Sequence, residues 1–321
     1  MKNFIALLTV FIAFPLLHST HARAQSMLQS LTPLIPIQEV FSPVPPLDLT
    51  QFVKVAVVQW NPYFSAPVGA PQSEADDYLK SNREAMSGKI EIAAKAGARF
   101  IVLSEFAVVG YPDIPELPSE EDEFRNRDDI KPFVDTIPGN STAYFSQVAV
   151  KNNVWIQFGM AEVDPATDIY YNAAVVINSE GLIVAKFRKN NLYGTESNFL
   201  SPGTEPVVFD SPVGKVGLVI CADIYHTSLL QKYKDLGVNV LSLSASWAGM
   251  NTAMDAFKNA ALTWNVYVMA SNQTYFPDSG VVNPNGSTQS HIRQTRDGIA
   301  YGYLPSFEKA TTAQIPLQRS F

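Results

Sequence analysis

Short apolar segments alternate with helical segments from Phe52 onward, and this alternation restricts the fold more than any other feature of the chain. Residues 53–60 (VKVAVVQW) predict a β-branched strand, and residues 73–96 predict a helix that ends at Gly97. Residues 100–104 (FIVLS) predict the next strand. Strands that alternate with helices predict an α/β layered fold, because each helix covers one face of a sheet.

The same pattern continues to residue 270. Two strands at residues 171–178 and 182–187 flank a turn at residues 179–181, which predicts a hairpin and therefore a mixed sheet. Further strands are predicted at residues 154–159, 216–220, 239–243 and 266–270, and further helices at residues 141–152, 228–236 and 252–264. No internal boundary follows Phe52, so residues 52–321 are interpreted as a single domain.

The first residues have the features of an export signal. Lys2 is followed by an apolar stretch over residues 4–17, and residues 22–24 (ARA) have the small-x-small form of a cleavage site. The alternative is a membrane anchor, but the stretch is shorter than the ~20 residues that span a bilayer. We therefore predict a signal peptide over residues 1–24, cleaved after Ala24, and a secreted or periplasmic location. Five prolines within residues 25–51 predict a proline-rich arm or linker.

The charge balance argues against a nucleic-acid partner. The chain has 23 basic and 30 acidic residues, a net charge of −7, and the loss of Lys2 and Arg23 with the signal peptide changes it to −9. Nucleic-acid binding depends on clustered Lys and Arg, and no basic run is present. A small-molecule substrate is expected instead, with no membrane span after signal cleavage. The oligomeric state stays open, with a homodimer as one alternative.

Histidine and cysteine are scarce, which narrows the chemistry. Without the signal peptide the chain keeps Cys221, His226 and His291. Metal sites use three or four His, Cys or carboxylate ligands, and the chain has no HExxH or CxxC motif, so neither a metal nor a cofactor is expected. A serine hydrolase would need one of these histidines as its base, and no GxSxG motif accompanies them.

Three predicted strand ends carry reactive side chains: Glu105, Lys189 and Cys221. A thiol between a strand and a helical segment is placed where the helix dipole favours the thiolate, although a buried, inert cysteine is the alternative. Glu105 is a candidate base whose pKa burial would raise, or an exposed acid. Lys189 is a candidate oxyanion stabiliser, or a solvated cation. His226 and His291 remain alternative bases.

These residues lie in motifs that resemble those of the nitrilase (carbon–nitrogen hydrolase) superfamily. The motifs are IVLSEF with Glu105, FRKNNL with Lys189 and GLVICADIY with Cys221, in the order seen in that superfamily. The resemblance covers residues 52–303. Within the superfamily, KNNLYGTESNF and CADIYH followed by SASW are most similar to the biotinidase and vanin (pantetheinase) branch.

The resemblance implies a four-layer αββα sandwich with mixed sheets. It also implies roles: Glu105 as general base, Lys189 as oxyanion stabiliser and Cys221 as nucleophile, supported by Glu196 and the backbone N–H of Ala222. The implied activity is that of an exported thiol amidohydrolase that cleaves a linear, non-peptide amide, similar to pantetheine or biocytin.

Three alternatives stay open. One is a nitrilase, another is an amide acyltransferase of the same superfamily, and the third is an inactive member that acts as a binding or scaffold protein. The substrate pocket is expected to be built by loops at residues 111–129 and 272–296.

Overall fold

A computed structural model describes residues 37–112, 124–247, 252–274 and 277–307. The predicted signal peptide lies outside the described residues, as does part of each predicted pocket loop. Among the described helices, none combines the length and the apolar character that a membrane crossing requires.

The described residues form two β-sheets. The first has the strand order β1 (Gln38–Val40), β13 (Gly298–Pro305), β2 (Phe52–Gln59), β3 (Phe100–Leu103), β4 (Trp155–Asp164), β5 (Ile169–Ile177) and β6 (Ile183–Arg188). The second has the order β12 (Thr288–Ile292), β11 (Ser279–Val282), β10 (Tyr267–Ser271), β9 (Val240–Ser244), β8 (Gly214–Ile220) and β7 (Val208–Ser211).

Both sheets are mixed, as predicted. Strands β2, β3 and β4 are parallel in the first sheet, whereas β5 is antiparallel to both of its neighbours, β4 and β6. In the second sheet β8, β9 and β10 are parallel, and β7, β11 and β12 are antiparallel to their neighbours. The parallel strands of each sheet therefore end on the same side, where the loops that follow them can meet.

Helices cover the outer face of each sheet. They are α1 (Gln72–Lys95), the short α2 (Arg127–Ile130), α3 (Asn140–Asn152), α4 (Thr227–Asp235) and α5 (Ala253–Trp264). Helices α1 and α3 pack together over the first sheet, and α5 packs on β10 and β11 of the second. In α4, Tyr233 lies directly over Gly217 of β8. The layer order is αββα, and the predicted fold class is confirmed.

Strand β2 shows how the sequence produces these layers. Its side chains alternate between two apolar clusters, because neighbouring residues of a strand point to opposite faces. Val53, Val55 and Val57 pack in the cluster shared with the second sheet, whereas Ala56 and Val58 pack in the cluster under α1 and α3. Full burial of each valine contributes roughly 1.5–3 kcal/mol, so a continuous apolar run is favoured here over an alternating one.

Several strands were not predicted from the sequence. The region interpreted as a pocket loop, residues 272–296, contains β11 and β12, so that interpretation was wrong for these strands. Their sequences, SGVV and TQSHI, are short and partly polar, and they become strands through pairing, β11 with β10 and β12 with β11. Strand β1 lies within the predicted proline-rich arm and pairs in parallel with β13.

Candidate active site

The structure brings the predicted strand ends together in one place. Glu105 follows β3, Lys189 directly follows β6, and Cys221 directly follows β8. The Lys189 ammonium nitrogen Nζ lies 2.8 Å from Glu105 Oε1. Glu105 is 1% exposed and Lys189 is 2% exposed, so the interpretation of Lys189 as a solvated cation was wrong.

Glu196 completes an ion triad with these two residues. Its Oε2 lies 2.7 Å from Lys189 Nζ, and the same oxygen accepts a hydrogen bond of 2.7 Å from the backbone N–H of Tyr193. Glu196 belongs to a single 3₁₀ turn, Gly194–Asn198, that follows the lysine in sequence. One buried cation therefore bridges two buried carboxylates.

Asn172, which was not predicted, bridges the same two carboxylates from the neighbouring strand. It lies in β5, and its Nδ2 donates to Glu105 Oε1 at 2.7 Å and to Glu196 Oε1 at 2.9 Å. We call Glu105, Asn172, Lys189 and Glu196 the buried cluster. A signal was present in the sequence, because Asn172 is the one amide within the otherwise apolar and aromatic strand IYYNAAVVI.

Backbone and amide groups of the second sheet hold Glu105 in place. The backbone N–H of Ser246 donates to Glu105 Oε2 at 2.7 Å, and Gln273 Nε2 donates to the Glu105 carbonyl at 2.7 Å. Ser246 follows β9 and Gln273 follows β10. Neither contact was predicted, because both depend on how the two sheets pack.

Cys221 begins a 3₁₀ turn, Cys221–Tyr225, which we call the cysteine turn. Its φ of 44° lies in the left-handed region that non-glycine residues rarely adopt, and such conformations cluster at functional sites. Cys221 is 9% exposed, and its Sγ lies 3.9 Å from the carbonyl oxygen of Ser246. The turn therefore presents the thiol at the end of the strand, beside the residue that binds Glu105.

Asp223 ties the cysteine turn to the residues after Lys189. Its Oδ1 accepts from the backbone N–H of Asn190 at 3.2 Å and of Asn191 at 2.7 Å, and its Oδ2 accepts from the N–H of Ile220 at 3.2 Å. Asn191 Nδ2 in turn donates to the Ala222 carbonyl at 3.1 Å. Ala222, the predicted backbone donor, is thus held between the two segments.

Burial and charge shift the titration of the site. Burial raises the pKa of Glu105, as expected, although Lys189 opposes the shift. Burial would lower the pKa of Lys189, but the nearby Glu105 and Glu196 carboxylates raise it well above its ordinary value. Lys189 therefore stays charged at neutral pH.

The expectation that Cys221 is placed to favour a thiolate was wrong for the resting protein. Burial, followed by the negative charge of Glu105, raises its pKa well above the ordinary value, and Lys189 compensates only in part. Because the cluster already holds two carboxylates against one ammonium, a third negative charge is disfavoured. The resting thiol therefore keeps its proton.

The two histidines lie in other surroundings. His291 is in β12, where its Nε2 lies 2.6 Å from Asp278 Oδ1, and His226 is exposed at the start of α4. Among the described residues, neither histidine hydrogen-bonds to Glu105, Lys189 or Cys221. The described part of the chain also contains no group of three or more side chains that could hold a metal ion.

An aromatic surface lies beside the thiol. The rings of Tyr225, from the cysteine turn, and Trp247 are 5.6 Å apart. Trp247 follows Ser246, and its indole Nε1 donates to Thr252 Oγ1 at 3.1 Å. Because Tyr225 is largely exposed, this pair leaves aromatic surface open to solvent at the cysteine turn.

Comparison with protein-family models gives a match over most of the chain. A model of the carbon-nitrogen hydrolase family matches residues 54–311, a range that includes the whole buried cluster and Cys221. The chain belongs to the carbon-nitrogen hydrolase family. Membership confirms the predicted enzyme class, a hydrolase of carbon–nitrogen bonds other than peptide bonds, and the predicted superfamily.

Individual relatives of this carbon-nitrogen hydrolase differ in their activities. A nitrilase from Pyrococcus abyssi is 29% identical over 77% of this chain and 87% of its own. A Takifugu rubripes biotinidase and a human pantetheinase are each 27% identical, over 69% and 71% of this chain. The chain spans about half the length of these two relatives, since the matches cover 49% of each.

Solved structures support the fold alone. Saccharomyces cerevisiae Nit3 matches with a TM-score of 0.65 at 23% identity, over 84% of this chain and 97% of Nit3. An amidase from Nesterenkonia sp. matches with a TM-score of 0.62 at 16% identity, over 79% of this chain and 90% of the amidase.

Proposed function

We propose that this carbon-nitrogen hydrolase is an exported thiol amidohydrolase that cleaves a linear, non-peptide amide through a thioester on Cys221. The observation that carries the proposal is the buried cluster beside Cys221. The cluster supplies a carboxylate with a raised pKa and a charged ammonium, and Cys221 supplies a thiol, at the ends of three different strands. These are the base, the oxyanion stabiliser and the nucleophile of acyl transfer.

In the first half-reaction the Cys221 proton passes to Glu105 as Sγ attacks the amide carbon. The carbonyl oxygen becomes an oxyanion. An ammonium group has three hydrogens, and Lys189 uses two of them in hydrogen bonds to Glu105 and Glu196. The third can donate a hydrogen bond to the oxyanion, together with the backbone N–H of Ala222. The tetrahedral intermediate then collapses, the carbon–nitrogen bond breaks, and Glu105 returns the proton to the leaving amine.

The second half-reaction hydrolyses the thioester. Water gives a proton to Glu105 and attacks the acyl carbon, and Lys189 again stabilises the oxyanion. Collapse breaks the carbon–sulfur bond, releases the acid and restores the Cys221 thiol with the proton from Glu105. Glu196 keeps its supporting role, because it holds Lys189 in place without reaching the reacting atoms.

We further propose a pantetheine-like amide as substrate. Support comes from the similarity to pantetheinase and biotinidase and from the aromatic surface of Tyr225 and Trp247. The net charge of −9 expected after signal cleavage disfavours anionic substrates at long range, which favours a neutral pantothenyl group. The expected order of kcat/KM is pantetheine above biocytin, and both above simple aliphatic nitriles.

Intact-mass spectrometry during turnover tests the reaction class. Pantetheine, biocytin and simple amides are each mixed with the protein, quenched in acid and searched for an adduct equal to the acyl group. The adduct is expected on the wild-type chain and absent from Cys221→Ala, whose turnover falls by more than a hundredfold because the covalent route is gone. Turnover by Cys221→Ala above a hundredth of the wild-type rate would contradict the mechanism.

Nitrile hydrolysis is the second candidate function. It is favoured by the nitrilase from Pyrococcus abyssi, which this chain matches over 87% of that protein's length. Ammonia release from aliphatic nitriles in the same buffer distinguishes the two. If nitriles are turned over with higher kcat/KM than pantetheine, the second candidate replaces the first.

Export is proposed from the first 24 residues. Expression of the full chain in a bacterial host, followed by fractionation and N-terminal sequencing, should give a secreted or periplasmic protein that begins at Gln25. A cytoplasmic product that retains residues 1–24 would contradict this.

A further inference from the structure

We propose that Asn172 is a positioning residue that keeps Glu105 deprotonated and directs the incoming proton to Oε2. The inference rests on the proposed function, in which Glu105 is the base for Cys221. It assigns to this amide a part in the reaction, although Asn172 itself need not touch the substrate.

The hydrogen bonds of Asn172 are fully directed at the two carboxylates. An amide nitrogen has two hydrogens, and the contacts to Glu105 Oε1 and Glu196 Oε1 use both. The amide oxygen Oδ1 is buried and has no hydrogen-bond partner among the described residues. The reversed amide would place Oδ1 against two carboxylate oxygens, so electrostatics alone selects the orientation seen here.

Glu105 has one acceptor position left. Its Oε1 accepts from Lys189 Nζ and Asn172 Nδ2, which occupy both lone pairs of that oxygen. Its Oε2 accepts from the backbone N–H of Ser246, and no second donor to this oxygen is present among the described residues. The proton from Cys221 therefore has its place at Oε2.

The charges around the two carboxylates explain why each of them needs an amide hydrogen. In the described part of the chain, the titratable groups that interact electrostatically with Glu105 are Lys189, Glu196, Cys221 and Asp223. Two carboxylates in one buried site repel each other, and one of them tends to take up a proton. Lys189 compensates one charge, and the two N–H bonds of Asn172 compensate part of the other.

Removal of these bonds should make Glu105 more basic. Hydrogen bonds to a carboxylate favour its charged form and lower its pKa, so their loss raises the pKa further. Glu105 would then be protonated at pH values where it must be deprotonated to act as a base. The acidic limb of the pH–rate profile, on which the rate falls as the pH decreases, should therefore move to higher pH for every reaction of Cys221.

Alkylation of Cys221 measures this limb without a substrate. The chain has a single cysteine, so intact mass after iodoacetamide treatment of the folded, full-length protein reports Cys221 alone. In Asn172→Leu the acidic limb of the alkylation rate is expected to rise by about one pH unit, the equivalent of one lost charge-assisted hydrogen bond. The acidic limb of kcat/KM should move by the same amount.

Gln157→Leu is the matched control. Gln157 is also a buried amide of the first sheet whose oxygen has no hydrogen-bond partner in the described part of the chain. Its Nε2 donates to Ser244 Oγ at 3.1 Å and not to the carboxylates. The acidic limb of the alkylation profile of Gln157→Leu should lie at the same pH as that of the wild-type protein. Asn172→Ser, which keeps one donor in a smaller side chain, should show a shift in the same direction if Asn172→Leu does not fold.

The outcomes separate this inference from the proposed function. An acidic limb that does not move in the folded Asn172 variants, or that moves equally in Gln157→Leu, would overturn the role of Asn172. A wild-type Cys221 that resists alkylation until the protein unfolds would overturn the proposed function, and this inference with it.

Discussion

Lys189 is held by the two carboxylates of the buried cluster, and its value to the reaction depends on the hydrogen that they leave unused. Its Nζ donates at 2.8 Å to Glu105 and at 2.7 Å to Glu196. The carboxylates raise its pKa well above the ordinary value, so its charge persists across the neutral range. A fixed, charged donor aimed at a developing oxyanion needs little reorganisation during the reaction.

Lys189→Ala is therefore expected to lower kcat by two to three orders of magnitude, in line with the ~3–4 kcal/mol measured for loss of one oxyanion donor. It should also destabilise the fold by roughly 3–5 kcal/mol, because two buried carboxylates lose their counterion. Lys186→Ala, which removes a partly exposed ammonium that pairs with Glu162 outside the buried cluster, is the control. Near-normal kcat in folded Lys189→Ala would remove Lys189 from the mechanism.

Glu105 should set the acid side of the pH profile. Its pKa is raised from the ordinary value of 4.5 by burial, and the reaction requires the unprotonated form. Activity should therefore fall as the pH decreases through this raised pKa, at a pH above 4.5. Glu105→Gln should be inactive at every pH. A profile that stays flat down to pH 4 would show that another group is the base.

The cysteine turn and the residues after Lys189 are two elements joined by one side chain. Asp223 binds three backbone N–H groups, and burial raises its pKa to about 7. These bonds fix the loop that carries Lys189 relative to the turn that carries Cys221. The spacing of the nucleophile and the ammonium thus depends on Asp223, which lies in the cysteine motif but is not one of the three proposed catalytic residues.

Asp223→Ala should leave these N–H groups without partners, at roughly 1–3 kcal/mol for each one that stays buried. We expect a lower unfolding midpoint in urea and a kcat reduced at least tenfold, because an ångström-scale displacement at a reacting centre is costly. Asp210→Ala, an exposed aspartate on β7, should change neither value. Wild-type kcat in Asp223→Ala would show that the two elements hold their spacing without it.

At the scale of the whole molecule, the two sheets place their strand ends at one edge of the sandwich. Glu105 and Lys189 come from the first sheet, whereas Cys221 and Ser246 come from the second. The site therefore exists only when both sheets are packed together. Partial unfolding of either sheet should abolish activity before the other sheet is lost.

The proposed reaction takes its positive charge from Lys189, so it should be insensitive to chelators. Incubation of the full-length protein with excess EDTA, followed by assay in metal-free buffer, is expected to leave kcat/KM unchanged. A loss of activity that zinc restores would contradict the mechanism. A parallel incubation with iodoacetamide, which should abolish activity, shows that the assay detects inactivation.

The local pattern of the chain predicted an α/β layered fold with a mixed sheet and the three motif residues of the site. Short stretches of neighbouring residues are enough to indicate the apolar strands, their helices and the motifs around Glu105, Lys189 and Cys221. Strands β11 and β12 were not predicted, because their short, partly polar sequences adopt the strand conformation only by pairing with a neighbouring strand. Propensity within a segment does not contain that information.

Sequence alone thus determined the layered architecture, the family resemblance and the reactive residue types, because apolar periodicity and strand-end motifs are local properties. Tertiary structure decided the rest. The contact of Asn172 with Glu105 spans 67 residues and that of Ser246 with Glu105 spans 141, so both depend on strand order and sheet packing. The protonated resting thiol is likewise a product of burial and of charges that meet only in the folded chain.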